Sequence, residues 1–236
     1  MKKKLLLSSI LFVAATLVAA DSTSKDEVKN AAKKLAEKSN YSWRTTYENA
    51  GGGGFQMGPV EGKTEKDGMT YIKVTRNDNT TEAVLKGEKG AIKMADEGWR
   101  SLADAAQDDQ GPGRFAARMI RNFRAPAADA EDIAAKVNEL KSSDGVYSGD
   151  LTEAGAKQLM TFRMRGGGGN GPEVSGAKGS AKFWIKDGVL TKYQYNVKGT
   201  VSFNGNDRDV DRTTTVEIKD VGTTKVSVPE EAEKKL

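Results

Sequence analysis

Along residues 188–203 apolar and polar side chains alternate with a period of two. Val189, Thr191, Tyr193, Tyr195, Val197, Val201 and Phe203 fall on one face, and Lys192, Gln194, Asn196, Lys198 and Ser202 on the other. This is the signature of a strand with one face buried. Asp187-Gly188 before it and Asn204-Gly205 after it suit tight hairpin turns, because these residues tolerate positive φ. The stretch is long against the usual strand of about 5–6 residues. Gly199 interrupts its apolar face and marks the expected bend. Such a strand suits the wall of a hollow, with Tyr193 and Tyr195 facing inward.

The same patterning organises the rest of the chain. Ser24-Lys25-Asp26-Glu27 reads as a capping box, and Val28, Ala31, Ala32, Leu35 and Ala36 then recur at helical spacing up to Asn40. Tyr41, Trp43, Thr45 and Tyr47 alternate with polar neighbours as a first strand. Residues 59–94 read as an antiparallel meander (60–66, 69–75, 81–86, 91–94) with turns at Asp67-Gly68, 77–79 and Lys89-Gly90, and Trp99 anchors its end. A helical interval follows. Phe115, Ala116, Met119, Ile120 and Phe123 form one apolar face after Pro112-Gly113, and Ile133, Val137 and Leu140 form another after Asp129. Residues 146–151 suit a short strand, and Thr152 caps a helix carrying Ala156, Leu159 and Met160. Ala181, Phe183 and Ile185 lead into the long strand, and Thr214, Val216 and Ile218 return from it. Val226 and Val228, before Pro229, read as a last edge segment. Glycine-rich stretches at 50–58 and 166–177 read as flexible loops. Strands and helices in this order predict an α+β domain, a large antiparallel sheet covered on one face by helices.

The chain has 236 residues, enough to bury a core in one domain. Residues 1–20 read as a signal peptide: Lys2, Lys3 and Lys4, an apolar run over 5–18, and small residues at Val18-Ala19-Ala20. The apolar run falls short of the roughly 20 residues that cross a bilayer. A single domain over 21–236, exported to the periplasm or the medium, is expected. The chain contains neither cysteine nor histidine, which excludes disulfides, thiolate and imidazole catalysis, the usual zinc ligands and a lipid anchor on cysteine. The formal charge is +4, but without the three leading lysines 34 basic residues face 33 acidic ones, so charge does not argue for nucleic acid.

Candidate chemistry is sparse. Gly62-Lys63-Thr64 resembles the end of a phosphate loop, but Met57 stands where that loop needs glycine and a strand follows instead of a helix. Asp207, Asp209 and Asp211 have calcium-loop spacing, with Arg212 and Ile218 where glycine and glutamate belong. Ser175 and Lys178 match Ser-x-x-Lys without its companion motifs. No carboxylate pair stands out among 33 acids, and neither metal nor cofactor is expected. Arg114, Arg118 and Arg121 share one side of a helix, opposite Phe115, Met119 and Phe123. They would contact an anionic membrane or head group, or else form a solvated face balanced by Asp108, Asp109, Glu131 and Asp132. Trp43, Met119, Met160 and Trp184 are either ordinary core or the lining of a hollow beneath thin, alanine-rich helices.

The layout, with Glu82-Ala-Val-Leu-Lys-Gly-Glu, Ala91-Ile-Lys-Met, Gly98-Trp99, Phe183-Trp-Ile-Lys-Asp-Gly-Val-Leu-Thr-Lys-Tyr and Asp220-Val-Gly-Thr-Thr-Lys-Val-Ser-Val-Pro, resembles the LppX and LprG-like lipid-carrier lipoproteins. It is also similar to the wider group of LolA and LolB lipoprotein carriers. The resemblance implies a strongly curved antiparallel sheet, a half-open β-barrel covered on its concave face by helices, with a hydrophobic cavity for acyl chains. The lipid-modified cysteine of LppX, LprG and LolB-type proteins is absent here, and the two Gly-Gly-Gly-Gly loops depart from the pattern. On this reading the protein is a non-enzymatic carrier whose partner is a lipid or acylated protein. Its cavity would be lined by Trp43, Phe115, Met119, Ile120, Leu159, Met160, Phe183, Tyr193 and Tyr195, with Arg114, Arg118 and Arg121 toward a head group. The alternative is a structural, sensor or protein-interaction domain of the same fold without a lipid.

Overall fold

Helix α1 (Thr16–Ala36) places Val28, Ala31, Ala32 and Leu35 in the core, each at most 2% exposed, one stripe at helical spacing. The helix begins upstream of Ser24, so the expected capping box lies inside it and caps nothing. The computed structural model describes residues 16–50, 58–66, 68–76, 79–95, 97–108, 111–161, 172–203 and 205–236. The signal peptide expected at 1–20 lies outside them over 1–15, and the glycine-rich loops expected at 50–58 and 166–177 lie outside them over 51–57 and 166–171.

Strand β1 (Asn40–Asn49) follows, then the meander β2 (Val60–Glu65), β3 (Met69–Arg76), β4 (Asn79–Lys86), β5 (Lys89–Met94) and the short β6 (Arg100–Ser101). Helices α2 (Leu102–Ala105), α3 (Pro112–Arg121) and α4 (Pro126–Ala135) come next, then β7 (Lys141–Ser143), β8 (Val146–Asp150) and α5 (Glu153–Thr161). Three long strands follow, β9 (Glu173–Lys186), β10 (Val189–Phe203) and β11 (Asn206–Lys219), and then α6 (Glu230–Glu233). Three local expectations change. The turn between β4 and β5 falls at Gly87-Glu88, leaving Gly90 buried in a strand. Residues 173–177, including Ser175, belong to β9. Val226 and Val228 form no strand.

The eleven strands among the described residues form one antiparallel sheet in the order β6-β5-β4-β3-β2-β1-β11-β10-β9-β8-β7. The expected strongly curved half-barrel is not what forms: the sheet is open, and its ends are different strands, two and three residues long, that do not meet. Barrel closure needs the terminal strands to pair. The length of residues 188–203, read as wrapping, is instead taken up by mutual pairing, because β9, β10 and β11 have 14, 15 and 14 residues and run side by side.

The long strand behaves as predicted at its turn and less simply along its face. Asp187 and Gly188 both have positive φ, 52° and 72°, which a two-residue hairpin turn requires. Thr191 then bulges against β9, so Leu190, fully buried, takes the inward place expected of Val189. A second irregularity sets Gly176 and Ala177 of β9 opposite Gly199. A Cβ at Gly199 would come within 2.9 Å of the Ser175 carbonyl oxygen.

Helices α1 to α5 pack with one face of the sheet around a single core in which Ile72, Ala83, Ile92, Phe183, Leu190 and Val197 join the helical residues. On the other face a smaller cluster of Val84, Ala91 and Trp99 packs against Ala232 of α6. Trp99 is thus the anchor the sequence suggested, on the face away from the main helices.

Candidate functional site

The site is a cavity of about 180 Å³ between the helices and the middle of the sheet. Its floor follows from register. Thr45 of β1 pairs with Val60 and Val216, Val216 pairs with Tyr193, Tyr47 pairs with Thr214, and Thr214 pairs with Tyr195. Alternation turns all of these toward the helices, together with Trp43, Ile72, Val74 and Arg212. Part of the floor therefore carries hydroxyl groups, and the part toward β2 and β3 is apolar.

The opposite wall is helical. Pro112 opens α3 at a position where its missing N–H costs nothing. The helix buries Gly113, Ala117 and Ile120 and leaves Phe115 50% exposed at the cavity's edge. Phe115, Met119, Ile120 and Phe123 line the cavity from this side and Leu159 from α5. Phe123 stacks on Trp43 with ring centroids 5.6 Å apart. Trp43 lies flat over Gly62, its partner on β2, where a Cβ would fall 1.9 Å from the indole.

Two acids line the cavity, Asp129 and Asp132. Asp129, in the first turn of α4, accepts a hydrogen bond from Tyr193 Oη at 2.7 Å. Burial pushes its carboxyl above the usual carboxylate range against the pull of the Tyr193 bond; Asp132 adds to the rise, and Arg124 and Lys136 oppose it. The Tyr193 phenol is pushed well up, first by burial and then by the charge of Asp129. Tyr195 is pushed up to about 12, again chiefly by burial. The cations nearby are engaged: Arg124 pairs with Asp132 at 3.2 Å, Lys136 with Asp132 at 2.5 Å, and Arg212 donates to the Leu159 carbonyl at 3.0 Å. Arg118 lines the cavity and makes no side-chain hydrogen bond or ion pair among the described residues. Thr214, 3% exposed, has a hydroxyl with no hydrogen-bond partner at normal distance. The Tyr195 phenol is its polar neighbour.

No family model matches the chain, and no curated protein matches it. Among solved structures the protein is similar, at low identity and high coverage, to LprF from Mycobacterium bovis and to the lipoprotein LppX from Mycobacterium tuberculosis. LprF is 14% identical, with 89% of this chain and 98% of that chain covered and a TM-score of 0.45. LppX is 9% identical, with 89% and 100% covered and a TM-score of 0.46.

Of the side chains singled out in the sequence, Trp43, Phe115, Met119, Ile120, Leu159, Tyr193, Tyr195 and Arg118 line this cavity. Phe183 and Met160 do not. Phe183 is fully buried with its ring 6.5 Å from that of Tyr193, and Met160 packs near Gly199. Arg114 and Arg121 are exposed, and Arg121 donates to the Leu102 carbonyl at 3.1 Å. Asp108, expected to balance the α3 arginines, is held by Arg100 at 2.7 Å. The sequence reading missed Thr45, Tyr47, Asp129, Arg212 and Thr214. Period two already placed Thr45 and Tyr47 on the face of Trp43, and Thr214 and Arg212 on the face of Val216. No local pattern marks Asp129 as an inward carboxyl. Among the described residues no group of three or more His, Cys, Asp or Glu could hold a metal ion.

Proposed function

We propose that this protein is an exported, non-enzymatic carrier that holds an acyl chain, of a lipid or an acylated protein, in the cavity between sheet and helices. The observation that carries this reading is the wall of Phe115, Met119, Ile120, Phe123 and Leu159 over Trp43, Ile72 and Val74, reached beside a half-exposed Phe115. Apolar lining with a few convergent polar groups is the usual make-up of a ligand site. Arg118 at this wall supplies a cation to an anionic head group. The absence of cysteine fits a carrier that is not lipid-anchored, working in the periplasm or the medium.

Size limits the cargo. A volume of 180 Å³ lies below the 300–1,000 Å³ typical of drug-sized ligands. At about 30 Å³ per small group, the volume of a water in the liquid, it takes roughly six methylenes. Their transfer from water contributes about 5 kcal/mol before ordering costs, at ~0.8 kcal/mol each. The cavity therefore suits one chain end and not a multi-chain lipid.

Displacement of a fluorescent fatty acid, with native mass spectrometry of protein from its own host, tests the reading. Met119→Trp should fill the cavity and weaken fatty-acid binding at least tenfold with an unchanged circular dichroism spectrum. Equal binding by the filled variant would remove the cavity as the site. The small volume also favours a second reading, a structural or interaction domain of the same fold. Ligand-free spectra and no fatty-acid binding would establish that one.

A further inference from the structure

The arginines of α3 stand along the rim of the cavity. Over Pro112–Arg121 the helix carries Arg114, Arg118 and Arg121 and no acid. Helical spacing puts all three on one side, and Arg118 and Phe115 adjoin the side that faces the cavity, which both of them line. Gly113, Ala117 and Ile120 are buried beneath, so the arginine ridge and the mouth lie together on the surface. Phe115 is 50% exposed, and among the described large apolar side chains only Val221 is exposed as well.

The acids expected to neutralise this ridge are engaged elsewhere. Asp108 is held by Arg100 at 2.7 Å, and Asp132 is held by Arg124 and Lys136. Arg118 makes no side-chain hydrogen bond or ion pair among the described residues. Arg121 donates to the neutral carbonyl of Leu102. A cationic ridge with an exposed aromatic ring beside it is the make-up of a helix lying in the interface of an anionic membrane.

We propose that this rim docks the protein on an anionic membrane surface, with Phe115 entering the head-group region and Arg114, Arg118 and Arg121 set against lipid phosphates. The cavity mouth then faces the bilayer. The proposal takes its purpose from the carrier reading, and it adds the partner and the orientation: a chain leaving the cavity beside Phe115 enters lipid without crossing water. No helix among the described residues is long and apolar enough to cross a membrane, so the contact is peripheral. A soluble polyanion would satisfy the arginines and leave the apolar mouth in water. An anionic bilayer meets both, because charge and apolar surface add in binding at its interface.

Sedimentation with vesicles of phosphatidylcholine, alone or with about one-third phosphatidylglycerol, tests this directly. The intact protein should bind the anionic vesicles roughly tenfold or more tightly than the neutral ones, and less well as salt rises. Arg114→Gln with Arg121→Gln, both outside the cavity, should weaken that binding about tenfold, the scale for two cations near an anionic surface. Binding of a fluorescent fatty acid in solution should not change. Arg114→Lys with Arg121→Lys keeps the charge and should keep vesicle binding. Lys182→Gln with Lys186→Gln removes the same charge from exposed positions on the opposite face of the sheet and should leave vesicle binding as it was. Phe115→Trp should add emission that vesicles with brominated acyl chains quench beyond the parent. Equal binding to neutral and anionic vesicles, equal weakening by the opposite-face pair, or no added quenching would overturn the proposal. Full displacement from vesicles by soluble polyglutamate at matched charge would overturn it in favour of an acidic protein. Fatty-acid binding without vesicle binding refutes the docking and leaves the carrier reading standing. Vesicle binding with these variant effects, by a protein that takes up no fatty acid, upholds the docking and removes the carrier reading.

Discussion

Gly62 shows how a residue can be visible in the sequence and still be misread. In Gly62-Lys63-Thr64 it suggests phosphate binding, and its neighbours dismiss that idea. Its actual role appears only across the β1–β2 pair, where the absence of a side chain lets the Trp43 indole lie against the strand and stack on Phe123. The constraint is close approach and not a special φ. Gly62→Ala places a methyl group 1.9 Å from the ring, so the indole must move. Overpacking of this kind costs about 1–3 kcal/mol. Urea denaturation should show a loss on that scale, with a shifted emission maximum from Trp43. An unchanged midpoint and spectrum would mean that the indole does not rest on this glycine. Trp43, Met119 and Tyr193 were legible as residues facing the space between sheet and helices because size and alternation mark them. Thr214 and Asp129 were not, since a threonine in a strand and an acid in a first helical turn are ordinary until tertiary packing places both along one cavity.

At the scale of elements, the strands were the most legible part, because alternation and Gly or Asn turns are local signals. Errors fell where two signals compete. Lys89-Gly90 looks like a turn as much as Gly87-Glu88 does, but Gly90 is needed in the strand, where a Cβ would meet Leu102 at 2.4 Å. Ser24 resembles a cap, but a helix with good formers upstream need not start there. The contact of α4 with β10 was not legible at all, and it is the most consequential. Asp129 ties the two together through Tyr193, and its raised pKa makes that tie sensitive to pH. A carboxyl whose pKa is raised on folding holds its proton more tightly in the folded chain. Its contribution to stability is complete below the unfolded value of about 4 and is lost as the pH rises through the folded one. Asp129→Asn keeps an acceptor for Tyr193 without the charge. It should therefore unfold at higher urea than the parent at pH 8, with the difference vanishing below pH 4. A constant difference across that range would show that the carboxyl is not buried in the folded state.

For the whole molecule, the α+β arrangement followed from the order of elements, but the position of β1 did not. The first strand of the chain lies in the middle of the sheet, between β2 of the meander and β11 of the long-strand block, and it pairs with residues about 170 positions away, as in Trp43 with Ile218. Each half looks self-contained in sequence, with its own hairpins and apolar alternation. In the folded chain they share β1 and one hydrophobic core. Because the sheet is open, no other strand pairing among the described residues joins them, so β1 is the seam on which cooperativity depends. Two tryptophans report on the halves: Trp99 in the cluster beneath α6, and Trp184 on β9, with the Lys192 ammonium 5.0 Å from its ring. Chains retaining only Trp99 or only Trp184 should each give one urea transition, with the tryptophan signal and far-ultraviolet circular dichroism coinciding within each chain, as two-state unfolding requires. The pairing of β1 with β11 is distant in sequence, so refolding should be slow for the size of the domain. Replacing Thr45 by proline removes a backbone donor in a central strand and should separate the two signals, with the Trp99 half and the remainder of the sheet unfolding at different urea concentrations. Coincident transitions in that variant would show that the shared core, and not the seam, couples the halves.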